Sequence, residues 1–182
     1  MTRVDLLDSA AAPLTARRFY ADGAPGPIVA ALAQVPELLE VTLPFLSAAL
    51  GASAVPARLK EIVILRTSAL LACRYCVDAH TVVALDTPLT RPEVHMLRGE
   101  DVSDWPDPAE AALVAWVDTV AGQTGPVGDE PAAGLRRHFA DHEVVELTLL
   151  VGATMMLNRF CTALALPTSA AVADRLRQEG LR

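Results

Sequence analysis

The stretch LKEIVILRTSALLACRYCVDAH, residues 59–80, decides both the fold and the candidate site. Its apolar residues recur at the three- and four-residue spacing of a helix, without the alternation of a strand. Cys73, Cys76 and His80 fall within its last eight residues, and Glu61 stands twelve residues before the first cysteine. We predict two helices here, with a break around residues 71–73 that lets the second helix fold back on the first.

The cysteines and the histidine are spaced for one face of a helix. Residues three and four positions apart are neighbours on a helix surface, so Cys73, Cys76 and His80 form a short stripe if the helix begins near Cys73. The macrodipole and the free backbone N–H groups at that end favour an anion and lower the pKa of a thiol. His80 is placed to accept the Cys76 proton. With antiparallel packing, Glu61 returns to the same place and orients the imidazole.

This set of side chains is typical of thiol chemistry on an electrophilic oxygen or sulfur. A thiolate attacks a peroxide and becomes a sulfenic acid, which condenses with the second thiol to a disulfide. An external dithiol then restores the pair by exchange. Two other interpretations stay open from the residues alone: the cysteines are small core residues, or they bind zinc with His80 and Glu61. Zinc is disfavoured because no later C-x-x-C or H-x-x-x-H pair supplies separated ligands.

Outside this stretch, helical periodicity continues over nearly the whole chain of 182 residues. We predict a single all-α domain, residues 1–182, with about eight helices and a core at about 35–166. Thr90, which stands shortly before a proline, is predicted to cap a helix that ends near Gly99. The apolar run LTLLVGATMMLN is predicted to be a buried helix, because a membrane span needs about 18 apolar residues.

Composition limits the partners that we expect. Hydrophobic residues make up 52% and charged residues 20%, and the formal net charge is −7. Because Lys60 is the only lysine and the chain has no basic run, we expect neither nucleic acid nor a membrane surface as a partner. A composition this apolar predicts burial between subunits of a homo-oligomer. The N-terminus lacks an apolar signal core, so we expect a cytoplasmic protein, where a disulfide is catalytic or sensory.

Other chemically notable residues are predicted to have structural roles. Cys161 lies in an apolar run and is predicted to be a buried core thiol. Buried polar groups need partners, so we expect Asn158 and Arg159 to form hydrogen bonds within the core or with a neighbouring subunit. The remaining expectations are exposure for His95, His138, His142 and Asp78, a salt bridge for Arg66, and packing for Trp105 and Trp116.

At Glu61, Cys73, Cys76 and His80 the sequence resembles the alkylhydroperoxidase D (AhpD-like) / carboxymuconolactone decarboxylase family. Redox members of that family carry a glutamate, a twelve-residue step to a C-x-x-C, and a histidine four residues after the second cysteine. The phrase YCVDAH and the later stretch HFADHEVVELTLLVGATMMLNRF are also similar to the family, so the resemblance covers roughly residues 35–166. It implies an all-helical fold assembled as a trimer or a hexamer.

The resemblance also implies a peroxidase cycle with a hydroperoxide as substrate. Cys76 is then the peroxide-attacking thiol, Cys73 resolves the sulfenic acid, and Glu61 and His80 form a proton relay. It implies no cofactor and no metal, and the reductant is an external dithiol or a lipoylated protein. One departure is Tyr75, which stands where the archetypal member has a histidine. A tyrosine with a pKa of about 10 does not act as a base near pH 7.

Two alternatives to a peroxidase remain. In the first, the protein is a redox sensor whose cysteine pair oxidises reversibly and controls assembly or partner binding without turnover. The second is lyase activity of the carboxymuconolactone decarboxylase type, although that branch of the family lacks the cysteine pair.

Overall fold

The computed structural model describes residues 1–21, 23–99, 102 and 105–181, and in that part of the chain the fold is all-α, as predicted. Within these described ranges, nine α-helices follow a short 3-10 helix at Arg17–Tyr20, close to the number expected. They are α1 (Pro27–Leu32), α2 (Pro36–Leu50), α3 (Ala57–Leu70), α4 (Arg74–Asp86), α5 (Arg91–Arg98), α6 (Pro108–Gly122), α7 (Asp129–Arg136), α8 (Asp141–Leu164) and α9 (Ala170–Gln178).

Local sequence signals set where several helices begin. Pro27 and Pro36 occupy the first positions of α1 and α2, where the missing backbone N–H is no loss. The predicted cap at Thr90 is present. Its side chain accepts from the Glu93 backbone N–H, and the Glu93 carboxylate accepts from the Thr90 N–H at 2.7 Å. This capping box fixes the start of α5 and directs Glu93 into the protein interior.

The break between α3 and α4 lies where the sequence predicts it. α3 ends at Leu70, and Ala72 adopts a left-handed conformation with a φ of 51°, which a residue other than glycine rarely takes. Cys73 then caps α4, and its backbone N–H donates to the Ser68 carbonyl at 3.0 Å. The chain therefore reverses within a few residues, and Glu61 on α3 comes back to the side of α4.

Helix α3 lies at the centre of the bundle. It packs against α4, α5, α6 and α8, and every residue from Lys60 to Ser68 is buried. Trp105 and Trp116 are buried in the same core, as expected. Because a helix buried on all sides has no solvent face, the polar residues of α3 lie in the interior.

Helix α8 is longer than the apolar run from which it was predicted. Its 24 residues make it long and apolar enough, by length and composition alone, to cross a membrane, which corrects the expectation that the run LTLLVGATMMLN belongs to a helix too short for this. The helix begins at Asp141, before the apolar run, and continues past Asn158 to Leu164. α8 packs against α2, α3, α4 and α6, and 39% of its apolar window is buried in the bundle, so one helix of this composition is weak evidence for a membrane span.

One face of α8 is apolar and yet exposed. Val145 and Leu149 are 67% and 53% exposed there. They line a shallow groove of about 620 Å³ between α2 and α8, together with Phe45, Val144, Thr148, Gly152, Ala153 and Met156. A large exposed apolar patch on a folded protein marks an interaction surface.

The prediction that Asp78 is solvated is wrong. Its side chain is buried, and the Thr168 hydroxyl donates to its Oδ2 at 2.8 Å. α9 packs against α4 and the segment before α9 covers this face of the helix. The spacing of residues within α4 contains no information about that cover.

Candidate active site

Cys73 and Cys76 lie at the start of α4, as the sequence predicts, and form a disulfide whose Cα atoms are 5.3 Å apart. Cys73 is the residue that caps the helix, and the Cys76 backbone N–H points to the Cys73 sulfur at 3.4 Å. Both side chains are buried. When the pair is reduced, the N–H groups and the macrodipole at this end of α4 stabilise a thiolate.

Glu61 and His80 form the expected hydrogen bond, with 3.0 Å between Glu61 Oε2 and His80 Nδ1. Both side chains are mostly buried. When the imidazole is neutral, this contact holds its proton on Nδ1 and leaves Nε2 as an acceptor. His80 lies one turn after Cys76 on α4, so the histidine and the thiol share the helix face that their spacing predicts.

Cys76 and His80 border an apolar pocket of about 280 Å³. The lining comes from the segment before α1 and from α1, α2, α3, α4 and α8: Gly26, Ile28, Val29, Leu43, Leu46, Leu50, Ile64, Ser68, Tyr75, Cys76, Ala79, His80, Thr154, Leu157 and Asn158. Cys73 is not part of this lining, so the two sulfurs differ in their access to a small molecule. An apolar cavity with a few convergent polar groups is the usual form of a small-molecule site.

Asn158 supplies a buried polar group to this pocket. Its Nδ2 donates to the Ser68 hydroxyl at 3.1 Å, which confirms the expected hydrogen bond within the core. Its Oδ1 has no hydrogen-bond partner among the described residues, although the side chain is only 1% exposed. An unpaired buried carbonyl is costly, so this position favours a ligand or a water that donates to it. Arg159 is exposed and lies outside the core.

Tyr75 lies between the two cysteines and lines the same pocket. Burial raises the pKa of its phenol above the usual 10, and the neighbouring Cys161 adds to the shift. The hydroxyl therefore stays protonated near neutral pH, in agreement with the expectation that Tyr75 is no base. It is a hydrogen-bond donor at the rim of the pocket.

Cys161 of α8 lies beside the cysteine pair, a position that the sequence does not predict. The sulfur atoms of Cys73, Cys76 and Cys161 all lie within 4.8 Å of one another. The predicted burial of Cys161 is confirmed, and burial raises the pKa of its thiol to about 12. A second cavity, of about 180 Å³, is lined by Cys73 and Cys161 together with Arg74 and Tyr75.

The position of Cys161 corrects one step of the zinc argument. The chain has no later C-x-x-C or H-x-x-x-H pair, yet one isolated cysteine on a distant helix completes a cluster with Cys73 and Cys76. No spacing rule detects it, because the contact depends on how α8 packs against α4.

The remaining sequence candidates lie away from the site. His95, His138 and His142 are exposed, as expected. Arg66 makes the expected salt bridge, with its Nε 2.6 Å from Asp118 Oδ1. This contact ties α3 to α6, and Arg66 does not line the pocket at Cys76.

The fold and one stretch of the sequence are similar to those of known helical proteins. Residues 36–119, from the start of α2 into α6, match the family model of carboxymuconolactone decarboxylase. The chain is similar to this family over those residues, slightly less than half of its length, and it has an AhpD-like fold. No curated protein matches the chain significantly.

Solved structures are similar to the chain over most of its length. A protein of unknown function from Agrobacterium tumefaciens, with a suggested role as the antioxidant defence protein AhpD, is 26% identical, with a TM-score of 0.70 over 77% of this chain and 96% of its own. A peroxidase-related protein from Ralstonia eutropha JMP134 is 19% identical, with a TM-score of 0.79 over 94% of each chain. The debrominase Bmp8 is 21% identical, with a TM-score of 0.77 over 97% of each chain. The last two likenesses inform on the fold alone.

Proposed function

We propose that the protein is a thiol-dependent hydroperoxidase in which Cys73 and Cys76 are the redox pair and Glu61 and His80 relay protons. The observation that carries the proposal is the position of Cys76, which is bonded to Cys73 and shares an apolar pocket with His80. His80 is in turn hydrogen-bonded to Glu61. A candidate nucleophile and a candidate base thus border one pocket, and the base has a carboxylate partner, which supports an arrangement of the kind that nucleophilic catalysis uses.

The first step is attack of Cys76 on the outer oxygen of a hydroperoxide. His80 Nε2 takes the thiol proton, and the S–O bond forms as the O–O bond breaks. The imidazolium then gives its proton to the departing alkoxide, so that the products are a Cys76 sulfenic acid and an alcohol. Glu61 stabilises the positive charge that His80 carries between these two events.

The second step regenerates a disulfide, and the third restores the thiols. Cys73 attacks the sulfenic sulfur of Cys76, which forms the Cys73–Cys76 bond and releases water. An external dithiol, either a small molecule or a lipoylated protein, then supplies two electrons through a mixed disulfide. We assign this cycle to the cytoplasm, because thiol reductants there keep such pairs reduced.

The lining of the pocket favours a hydroperoxide with an apolar carbon skeleton over hydrogen peroxide itself. Leu43, Leu46 and Ile64 offer apolar surface, and each Å² of apolar substrate that they cover is worth about 25 cal/mol. At the polar end, the unpaired Asn158 Oδ1 accepts the hydrogen bond of the hydroperoxide O–H. This contact orients the O–O bond toward Cys76.

A second candidate activity is reductive removal of halogen from an aromatic ring. Bmp8, which has the same fold, is a debrominase, and a cysteine-to-alanine variant of it has been solved in complex with 2,3,4-tribromopyrrole. The apolar pocket and the unpaired Asn158 Oδ1 suit an aromatic ring with an N–H donor. Two thiols and one brominated ring would give the debrominated ring, bromide, a proton and a disulfide. Bromide release from tribromopyrrole by the reduced protein would support this activity.

We also propose that the chain forms a homo-oligomer, a trimer or a hexamer, through the apolar groove between α2 and α8. The groove is lined without a charged side chain, and Val145 and Leu149 are exposed beside it. Three copies related by a three-fold axis beside the groove would cover the groove of each copy. Light scattering should give a mass three or six times 19.3 kDa. If Val145→Glu has the mass of a monomer, the groove between α2 and α8 is the interface between subunits. If its mass equals that of the parent, the interface lies elsewhere.

Peroxide consumption tests the proposed function. Reduced protein mixed with cumene hydroperoxide and excess dithiothreitol should consume many equivalents per chain, and Cys76→Ser should consume none above background. Cys73→Ser separates the roles of the pair, because without dithiol it should consume one equivalent and stop at a sulfenic acid. Circular dichroism of both variants checks that they are folded.

Two outcomes contradict the proposal. If Cys76→Ser turns over at the parent rate, Cys76 is not the nucleophile. If the parent consumes one equivalent and then stops despite the dithiol, the pair is a redox sensor, and oxidation should change assembly or partner binding instead.

A further inference from the structure

We propose that Cys73, Cys76 and Cys161, when reduced, form a binding site for a soft three-coordinate metal ion, with monovalent copper as the specific occupant. Their three sulfur atoms all lie within 4.8 Å of one another. With metal–sulfur bonds of about 2.3 Å, three sulfurs around one ion lie about 4 Å apart. Reduction of the Cys73–Cys76 bond and small rotations of the side chains therefore suffice to enclose an ion.

The chemistry of the donors selects the kind of ion. The cluster consists of cysteines alone, and thiolates prefer soft ions such as monovalent copper over hard ions such as magnesium or calcium. Structural zinc requires four ligands in a tetrahedron. His80, the nearest imidazole on α4, lies outside the sulfur cluster and its Nδ1 is bonded to Glu61. Three sulfur ligands therefore fit an ion that binds stably in three-coordinate geometry.

The site is held on rigid elements and has a route for entry. Cys73 caps α4 and Cys161 lies within α8, and all three cysteines are buried. The cavity of about 180 Å³ beside Cys73 and Cys161 is also lined by Arg74, whose side chain is mostly exposed. Its positive charge offsets the net negative charge of a copper–thiolate complex. The Cys76 backbone N–H, 3.4 Å from the Cys73 sulfur, supports the ligand from behind.

Occupation of this site and formation of the disulfide exclude each other, because both use Cys73 and Cys76. Bound copper therefore blocks attack on a hydroperoxide. Conversely, oxidation of the pair releases the ion unchanged. Two thiolates, one hydroperoxide and two protons give the disulfide, an alcohol and water. This last consequence rests on the proposed function, whereas the binding of the ion does not.

The test is an anaerobic titration of the fully reduced, full-length protein with monovalent copper buffered by bicinchoninate. The parent should bind one ion per chain, and Cys161→Ala should bind it at least about tenfold more weakly, since even groups behind a ligand are worth roughly 10–100-fold in affinity. His95→Gln, at an exposed position away from the cluster, is the matched control, and its copper affinity should equal that of the parent. X-ray absorption of the parent complex should show three sulfur neighbours around copper.

Equal copper affinities for the parent and Cys161→Ala, or two sulfur neighbours around the ion, would overturn the proposal. A nitrogen neighbour of copper in the absorption spectrum would replace it with a site of mixed sulfur and nitrogen ligands. If Cys161→Ala does not fold, the sulfur count in the parent complex decides the question by itself. None of these measurements uses peroxide. A protein that binds copper and lacks peroxidase activity would contradict the proposed function and leave this site intact.

Discussion

Two buried polar clusters share helix α3 and differ in character. In the first, Arg58 contacts Glu93 at 2.5 Å and Glu110 at 2.7 Å. In the second, one turn along the helix, Glu61 contacts His80 at 3.0 Å. The first pairs its carboxylates with a permanent cation, whereas the second pairs its carboxylate with an imidazole, a side chain that can act as a base.

The two clusters also differ in what surrounds them: further hydrogen bonds surround the Arg58 cluster, and a pocket lies beside His80. Around Arg58, the Trp105 N–H donates to Glu110 at 3.0 Å, and the Thr90 hydroxyl donates to Glu93 at 2.8 Å. His80 instead faces the pocket that Cys76 lines. We infer that the Arg58 cluster ties α3 to α5 and α6, and that the Glu61–His80 cluster serves chemistry. Removal of a partner should therefore lower stability in the first cluster and turnover in the second.

The largest expected effect is on turnover, from His80→Gln. This change keeps a polar side chain and removes the base, so kcat/KM for cumene hydroperoxide should fall by about 10²–10⁴-fold, the usual contribution of a general base. The midpoint of thermal unfolding should change little, because His80 is not part of the Arg58 cluster. His95→Gln, at an exposed position, is the matched control and should behave as the parent does. If His80→Gln turns over at the parent rate, the Glu61–His80 cluster does not serve the reaction, and the proposed difference between the two clusters is wrong.

Arg58→Met should show the opposite pattern. It leaves Glu93 and Glu110 buried without their cation, and loss of one partner of a buried ion pair costs about 3–5 kcal/mol of unfolding free energy. Urea unfolding measures this loss. Arg91→Met is the control, because Arg91 pairs with Glu179 at the surface and an exposed pair is worth about 1 kcal/mol or less. A folded Arg58→Met protein with lost turnover would show that the Arg58 cluster also serves the reaction.

Acid should weaken the Arg58 cluster through Glu93. The hydrogen bonds from Arg58 hold the pKa of Glu93 down at about 2, against the opposing effect of burial, with a reference value of 4.5 for the unfolded chain. Between pH 4.5 and pH 2 the unfolded chain binds a proton that the folded chain does not bind, so stability falls as the pH falls. The loss is about 3 kcal/mol at most.

Urea unfolding at pH 6 and pH 3 checks this expectation. The parent should lose more stability between the two pH values than Glu93→Gln, which has no proton to bind at that position. Equal losses in the two proteins would assign the acid sensitivity to other carboxylates.

Spacing along the chain predicts the features that depend on one helix or on two consecutive helices. The all-α class, the break at residues 71–73 and the Glu61–His80 contact all follow from helical periodicity and from the short connection between α3 and α4. Such contacts can be predicted from the spacing of residues, because residues three and four apart share a helix face. A tight connection then turns the second helix back against the first.

Contacts between helices that are distant in sequence were not predictable in the same way. Cys161 lies beside Cys73, and Asn158 lines the pocket, because α8 packs on α3 and α4. Asp78 is buried because the segment before α9 covers it. An isolated cysteine or asparagine in an apolar run predicts burial, which is correct for both residues, but burial alone does not identify the neighbours.

The smallest expected effect concerns Asn158, whose Oδ1 is unpaired beside the Glu61–His80 cluster. Asn158→Leu keeps the branching of the side chain at Cγ and removes the acceptor that we assign to the hydroperoxide O–H. A neutral hydrogen bond is worth about 1 kcal/mol, so KM should rise roughly five- to tenfold with a smaller change in kcat. Stability should fall little, because the buried unpaired carbonyl is removed along with the bond to Ser68. An unchanged KM with lower stability would make Asn158 a structural residue like those around Arg58, and the pocket would then bind its substrate through apolar contact alone.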